Sequence, residues 1–171
     1  KYAIPVGEKG KFQGIRISSM HLEEDPASWN PESGEVDYNR SGLPLVEIIT
    51  EPEFVTSEEV TSWLNKLIHN LAYLKCVDSN AGIIVDVNVN IPGKSQRVEI
   101  KNVSSIENIG KAIDYELQRH MKEPVKSQET RRYDETKNKT ALMRTKEQAE
   151  DYRFISDPDL RNIILNKALV D

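Results

Sequence analysis

Hydrophobic and polar residues recur with two different periods along this chain, and the switches between them mark its elements. From Val60 the apolar residues Val60, Trp63, Leu64, Leu67, Ile68, Leu71 and Leu74 return every three or four positions, which is one stripe of an amphipathic helix. Thr56-Ser57-Glu58-Glu59 before it is a capping box, in which the threonine hydroxyl and Glu59 each satisfy an N–H that the first turn would leave unpaired. A second stripe of Ile109, Ile113, Leu117 and Met121 opens at Ser104-Ser105-Ile106-Glu107 and closes before Pro124. A short third helix is expected near Glu147–Asp151.

Elsewhere the period is two. Phe12 to Leu22 reads as a strand entered from a turn at Gly7–Gly10. Its alternation sets His21, Glu23 and Asp25 on one face and Leu22 and Glu24 on the other, unless a bulge near Glu23 aims both glutamates the same way. Residues 25–42 are dense in Pro, Ser, Asn and Gly and read as loop. Leu43 to Thr50 is an apolar run broken by Glu47, expected as a buried strand that Pro52 ends. Ile83 to Ile91 puts Val85, Val87, Val89 and Ile91 on one face and Asp86, Asn88 and Asn90 on the other. A turn at Ile91-Pro92-Gly93-Lys94 returns it through Arg97–Lys101, with Val98 and Ile100 inward and Arg97, Glu99 and Lys101 outward. A second hairpin pairs Gln128–Asp134 with Thr140–Arg144 around Thr136–Lys139. The expected fold is α+β: an antiparallel sheet with helices packed on one face.

Composition narrows the function. The 171 residues fit one domain, and 37% hydrophobic with 30% charged residues permit an ordinary core. A formal charge of −5 gives no overall basic field for nucleic acid, so an RNA contact needs a local patch or a partner, and DNA is not expected. The lone Cys76 excludes an internal disulfide framework and a multi-cysteine zinc site, and suits a reducing compartment. No apolar run approaches membrane-spanning length and no signal peptide is present. The chain lacks an initiating Met and stops inside an apolar helical pattern, so it is read as a piece of something longer.

The chemistry rests on where the acids lie. Glu23, Glu24, Glu47, Asp86 and Glu99 all sit in strand-like segments, from which carboxylates are normally depleted. Oxygen-rich sets of this kind suit Mg²⁺ together with a nucleotide phosphate. The plainer alternative is that Glu47 pairs with an arginine and that the outer face of the first hairpin is simply solvated. Lys101 offers a point charge to a phosphate, and Arg131, Arg132, Arg144 and Arg153 offer guanidinium clamps or surface ion pairs. His21 is a ligand or base at best; His69 and His120 read as structural. The chain has no phosphate-binding glycine loop, zinc spacing or nucleophile elbow.

The blocks His21-Leu22-Glu23-Glu24-Asp25, Val36 to Ile48 (containing Asp37-Tyr38-Asn39-Arg40-Ser41-Gly42), Asp86-Val87-Asn88-Val89, Val98-Glu99-Ile100-Lys101-Asn102, Gln128-Glu129-Thr130-Arg131 and Met143-Arg144-Thr145-Lys146-Glu147 resemble GatB, one of the subunits of the tRNA-dependent amidotransferases. Asp151-Tyr152-Arg153-Phe154 and Asp157-Pro158-Asp159-Leu160 extend the likeness, which runs from about Gly14 to Leu160. The archaeal sister protein GatE shares several blocks, while residues 100–106 lean toward GatB. The resemblance implies a glutamine-synthetase-like cradle, partial here, that binds ATP, Mg²⁺ and the acceptor end of a misacylated tRNA. It also implies phosphorylation of the side-chain carboxylate of Glu-tRNA(Gln) or Asp-tRNA(Asn). Ammonia channelled from a separate glutaminase subunit would then displace the phosphate, with a small third subunit completing the assembly.

On that reading Glu23, Glu24, Glu47, Asp86 and Glu99 are metal ligands, Glu24, Glu47, Lys101 and Arg131 are catalytic, and Asn88, Lys101, Arg131 and Arg144 hold the nucleotide. Residues 1–160 would be the central part of the cradle and 161–171 the start of a helical region. An archaeal or bacterial cytoplasm or the mitochondrial matrix would suit the chain. The family's N-terminal Gly-Leu-Glu-x-His segment and C-terminal tail region do not occur in it, and Asn80-Ala81-Gly82-Ile83-Ile84-Val85 departs from the family's Glu-Gly-x-Leu-Arg. The piece alone is therefore expected to bind metal weakly and to be inactive. A non-catalytic scaffold, or a free-standing carboxylate–amine ligase, is the alternative.

Overall fold

Trp63 joins three parts of the chain. Its indole N–H donates to the Phe12 carbonyl at 2.9 Å, and the rings of Phe12 and Phe54 meet it edge-on at centroid distances of 5.7 and 5.6 Å. This geometry comes from a computed structural model, which describes residues 4–30, 33–78, 82–103 and 105–145. The expected helix at 147–151, Arg153, the motifs beyond Thr145 and the proposed helical region 161–171 lie outside the described residues.

Nine strands and two helices follow in the order β1 (Gly7–Phe12), β2 (Ile15–Glu24), β3 (Ser28–Trp29), β4 (Val36–Asp37), β5 (Pro44–Thr50), α1 (Ser57–Leu74), β6 (Val85–Val89), β7 (Val98–Val103), α2 (Ile106–Lys122), β8 (Glu129–Asp134) and β9 (Lys139–Thr145) among the described residues. They build a three-stranded sheet β1-β2-β5, a ribbon β3-β4 and a four-stranded sheet β6-β7-β8-β9.

Both helices start where their caps predict. Thr56 and Glu59 form the full capping box of α1, and Ser105 Oγ accepts from the Asn108 N–H at 3.1 Å to cap α2. The core is the layer between α2 and the larger sheet. Val89, Val98, Ile100 and Val103 meet Ile109, Ala112 and Ile113, and Trp63 and Leu64 of α1 close it from the far side. α1 rests on α2 at Gly110, where an added Cβ would stand 3.3 Å from Thr61 Cγ2.

α+β content is what the two periods predict, but the sheet arrangement differs from a single antiparallel sheet. β7 and β8 run parallel, because α2 carries the chain back across the sheet between them, and only a crossover of that length can join parallel neighbours. The expected turn at Gly7–Gly10 is strand β1 instead. The reversal comes at Gln13 (φ 48°) and Gly14 (φ 89°), a two-residue hairpin turn whose positive φ values match the twist of the flanking strands. β5 lies at the edge of its sheet with Val46 half exposed and none of its residues fully buried, so the expected buried strand is only partly covered. Among the described residues no helix is long and apolar enough to cross a membrane.

Candidate functional site

The pleat of the four-stranded sheet sorts its side chains onto two faces with opposite chemistry. Toward α2 point Val85, Val87 and Val89 of β6 and the fully buried Val98 and Ile100 of β7. Away from α2 the register lines up two rows. Asn88 lies opposite Glu99, Glu99 opposite Thr130, and Thr130 opposite Arg144, so one row crosses all four strands. At ~4.8 Å between strands that row is about 14 Å long. In the next row Lys101 lies opposite Arg132 and Arg132 opposite Ala141.

Asp86 joins the second row through an irregularity. The register of β6 and β7 shifts between Val85 and Val87, so an extra residue of β7 stands opposite Asp86. Lys101 Nζ then lies 2.6 Å from Asp86 Oδ2 and 2.8 Å from Glu99 Oε1, one ammonium spanning two carboxylates. Partial burial pulls the Lys101 pKa down. The hydrogen bonds to Asp86 and Glu99, with the attraction of both charges, outweigh it and hold the pKa above the ordinary lysine value. Asp86, Asn88, Glu99, Lys101 and Arg144, five residues that the sequence singles out, thus share the face away from α2.

The other three acids lie on the three-stranded sheet. His21 stands directly opposite Glu47, and Glu23, two positions on, shares their face. His21 Nε2 lies 3.2 Å from Ser19 Oγ. Glu24 pairs with Pro44 one position further along and so projects from the opposite face. The shift in β2 falls between Ile17 and Ser19 rather than near Glu23, so the two glutamates are not turned the same way. Asp25 anchors the loop behind them through Arg40 at 2.6 Å.

Arg131 lies elsewhere. It points toward α2, where its Nη1 donates to Glu129 Oε2 at 2.9 Å and its Nε to Thr140 Oγ1 at 2.8 Å, with Glu116 Oε1 3.3 Å away. Glu116 is fully buried and also takes Arg119 Nη2 at 2.7 Å and a hydrogen bond from the Thr140 hydroxyl. Arg131 is committed to this interior ion cluster, on the far side of the sheet from Lys101. Arg132, its neighbour, stands among the site residues in its place. Strict alternation through Thr130-Arg131-Arg132-Tyr133 carries the signal, since Tyr133 packs against the core and its neighbours must face outward.

Among the described residues no three His, Cys, Asp or Glu side chains converge on a common point. Mg²⁺ is generally held by one or two carboxylates and completes its shell with water and phosphate oxygens, so the Asp86–Glu99 pair fits it, with Lys101, Arg132 and Arg144 nearby for phosphate. A small cleft lined by Arg97, Glu99, Gln128, Glu129 and Thr130 adjoins the pair. A shallow open groove on α1, lined by Thr61, Ser62, Asn65, Lys66, His69 and Asn70, shares no residue with either acid group.

Fold and site together define an α+β domain with helices layered on one side of a mixed sheet and charged rows on the other. The chain belongs to the GatB/GatE catalytic domain family, whose model matches residues 2–171. It is 46% identical over 162 residues to the B subunit of the aspartyl/glutamyl-tRNA(Asn/Gln) amidotransferase of Methanothermobacter thermautotrophicus, covering 92% of this chain and 36% of the relative. The proteins of the same name from Methanopyrus kandleri (44% over 162 residues; 92% of this chain, 35% of the relative) and Methanobrevibacter smithii (43% over 173 residues; 99% and 38%) are similar to it. The chain thus spans a little over a third of these relatives' length.

Proposed function

We propose that the face of the four-stranded sheet away from α2 is the nucleotide-binding wall of the GatB component of a tRNA-dependent amidotransferase. The relatives' shared name supplies the reaction class, an aspartyl/glutamyl-tRNA amidotransferase. The observation that carries the reading is the Asp86–Lys101–Glu99 cluster with Arg132 and Arg144 in register beside it.

In this reading the sheet is part of a glutamine-synthetase-like cradle. Asp86 and Glu99 would hold Mg²⁺, which when bound supplies charge neutralisation at a transferring phosphoryl group. Lys101, Arg132 and Arg144 hold ATP phosphate oxygens, and Asn88 supplies an amide to the same row. Phosphoryl transfer needs positioning and charge complementarity more than covalent help from the protein, which suits a wall of fixed cations and acids. Glu47 and Glu23, with His21 opposite Glu47, form a second acidic station where protons can be taken up or released, and Glu24 belongs to the reverse side of that sheet. The product would be Gln-tRNA(Gln) or Asn-tRNA(Asn), made with ammonia from a glutaminase subunit in an assembly with a small third subunit.

The salt bridges of Lys101 to both acids also favour a second reading, in which the face is a solvated, self-neutralised surface of a scaffold. Amide formation on misacylated tRNA by the full-length protein with its partners separates the two. Asp86→Asn and Glu99→Gln are expected to lose at least the roughly 10–100-fold that removing even an outer-shell partner of a metal costs. Unchanged turnover in both variants favours the scaffold. Amide formation on free glutamate without tRNA would point instead to a free-standing ligase.

A further inference from the structure

We propose that Lys101 is the resident counterion of the Asp86–Glu99 pair, that a divalent cation enters by displacing its ammonium, and that the freed ammonium then takes a phosphate oxygen. This rests on the nucleotide-wall reading and adds an order of events to it.

The geometry makes the two cations exclusive. The ammonium hydrogen-bonds Asp86 Oδ2 at 2.6 Å and contacts Glu99 Oε1 at 2.8 Å, so it stands between the oxygens that a metal ion would need. A dication and an ammonium sharing those two oxygens would repel each other at close range. The side chains are 31% (Lys101), 40% (Asp86) and 31% (Glu99) exposed, open enough for exchange with solvent.

The choice of residue supports exchange. Lysine carries a compact charge on a flexible four-carbon stem with three rotatable donors, whereas arginine presents a fork that locks onto carboxylates. The same sheet uses both. Against its covered face Glu116 of α2 and Glu129 of β8 are held by Arg119 of α2 and Arg131 of β8, the arginine side chains 23% and 13% exposed. On the face away from α2 the acids Asp86 and Glu99 are held by a lysine, next to a register shift that gives β7 an extra residue there.

Charge then sets the sequence of binding. With Lys101 seated, the ammonium neutralises one of the two carboxylates and is unavailable to an anion. With a dication seated, both carboxylates are neutralised and the ammonium is released beside Arg132, its cross-strand neighbour, with Arg144 in the adjoining row. The face becomes receptive to phosphate once the ion is in place. Linkage requires the converse: a phosphate ligand that draws Lys101 away must tighten ion binding by the same factor.

The test is Mn²⁺ binding, followed by titration calorimetry and electron paramagnetic resonance, to the full-length protein in its assembly, with and without a non-hydrolysable ATP analogue. Lys101→Met should bind Mn²⁺ about 10-fold tighter than wild type without nucleotide, since an exposed competing charge is gone. It should bind the analogue more weakly and lose the enhancement of Mn²⁺ affinity that the analogue gives wild type. Lys101→Arg, which keeps the charge and the fold, should bind Mn²⁺ no better than wild type. Unchanged or weaker Mn²⁺ binding in a folded Lys101→Met overturns the displacement while leaving the wall intact. Mn²⁺ binding that ignores Asp86→Asn as well overturns the wall itself.

Discussion

Glu116 of α2 and Glu99 of β7 lie on opposite sides of the larger sheet, in opposite surroundings. Glu116 is fully buried, and the removal of either arginine beside it would leave an uncompensated interior charge. His120 completes that interior cluster. The Ser95 hydroxyl accepts from the Ile91 N–H at 3.0 Å and lies 2.7 Å from His120 Nδ1, while His120 Nε2 stands 3.2 Å from Glu116 Oε2. Burial, helped by Arg119, holds the His120 pKa below the ordinary value despite the pull of Glu116. As pH falls from the ordinary histidine value toward the lowered native one, the unfolded chain binds the proton more readily, so stability declines across that window. Urea unfolding should therefore give a lower free energy at about pH 5.5 than at about pH 7.5, with a smaller difference in His120→Gln. An equal difference in both would mean that His120 is not the group responsible. At this scale the sequence identified Asp86, Asn88, Glu99 and Lys101 on their face, because each alternates with a valine or isoleucine. Arg131 and Arg132 are adjacent arginines in a polar strand, and only the burial of Tyr133 beside them shows which one turns outward.

Element by element, the most legible features are those with local causes. The capping box at Thr56–Glu59 and the stop before Pro124 are contained within a few residues, and both helices obey them. The β6–β7 hairpin is equally local, and its valines face the core as their spacing predicts. The parallel β7–β8 pairing is not local. It depends on α2 lying across the sheet, which the pattern of either strand cannot announce, and the same holds for the ribbon β3-β4 inside an apparent loop. The α1–α2 crossing is the non-local contact most open to test. Gly110 admits Thr61 so closely that even a methyl group stands 3.3 Å from it, and a larger side chain must push the helices apart. Gly110→Leu is expected to lose about 1–3 kcal/mol by overpacking, read from a thermal melt of the full-length protein. A melting temperature equal to wild type would mean that the helices are not packed there as described.

At the scale of the molecule, one side of the larger sheet is made of contacts that hold the fold and the other carries charged side chains in register. α2 covers the first with Ile109, Ala112 and Ile113 and with the Glu116 cluster. The second carries Asp86, Asn88, Glu99, Lys101, Arg132 and Arg144 in register, with the GatB/GatE catalytic domain as its family context. Three of the five strand acids, Glu23, Glu24 and Glu47, belong to a separate sheet, a division that follows from pairing partners far apart in the chain. On the proposed reading, the acids of the charged side admit a divalent ion together with a nucleotide. Mg²⁺-dependent ATP binding to the full-length, assembled protein tests it most directly, with Asp86→Asn and Glu99→Gln compared against wild type in the same titration. Wild type is expected to bind ATP tightly only with Mg²⁺, and both variants to lose that dependence. ATP binding in both variants that matches wild type at every Mg²⁺ concentration would contradict it.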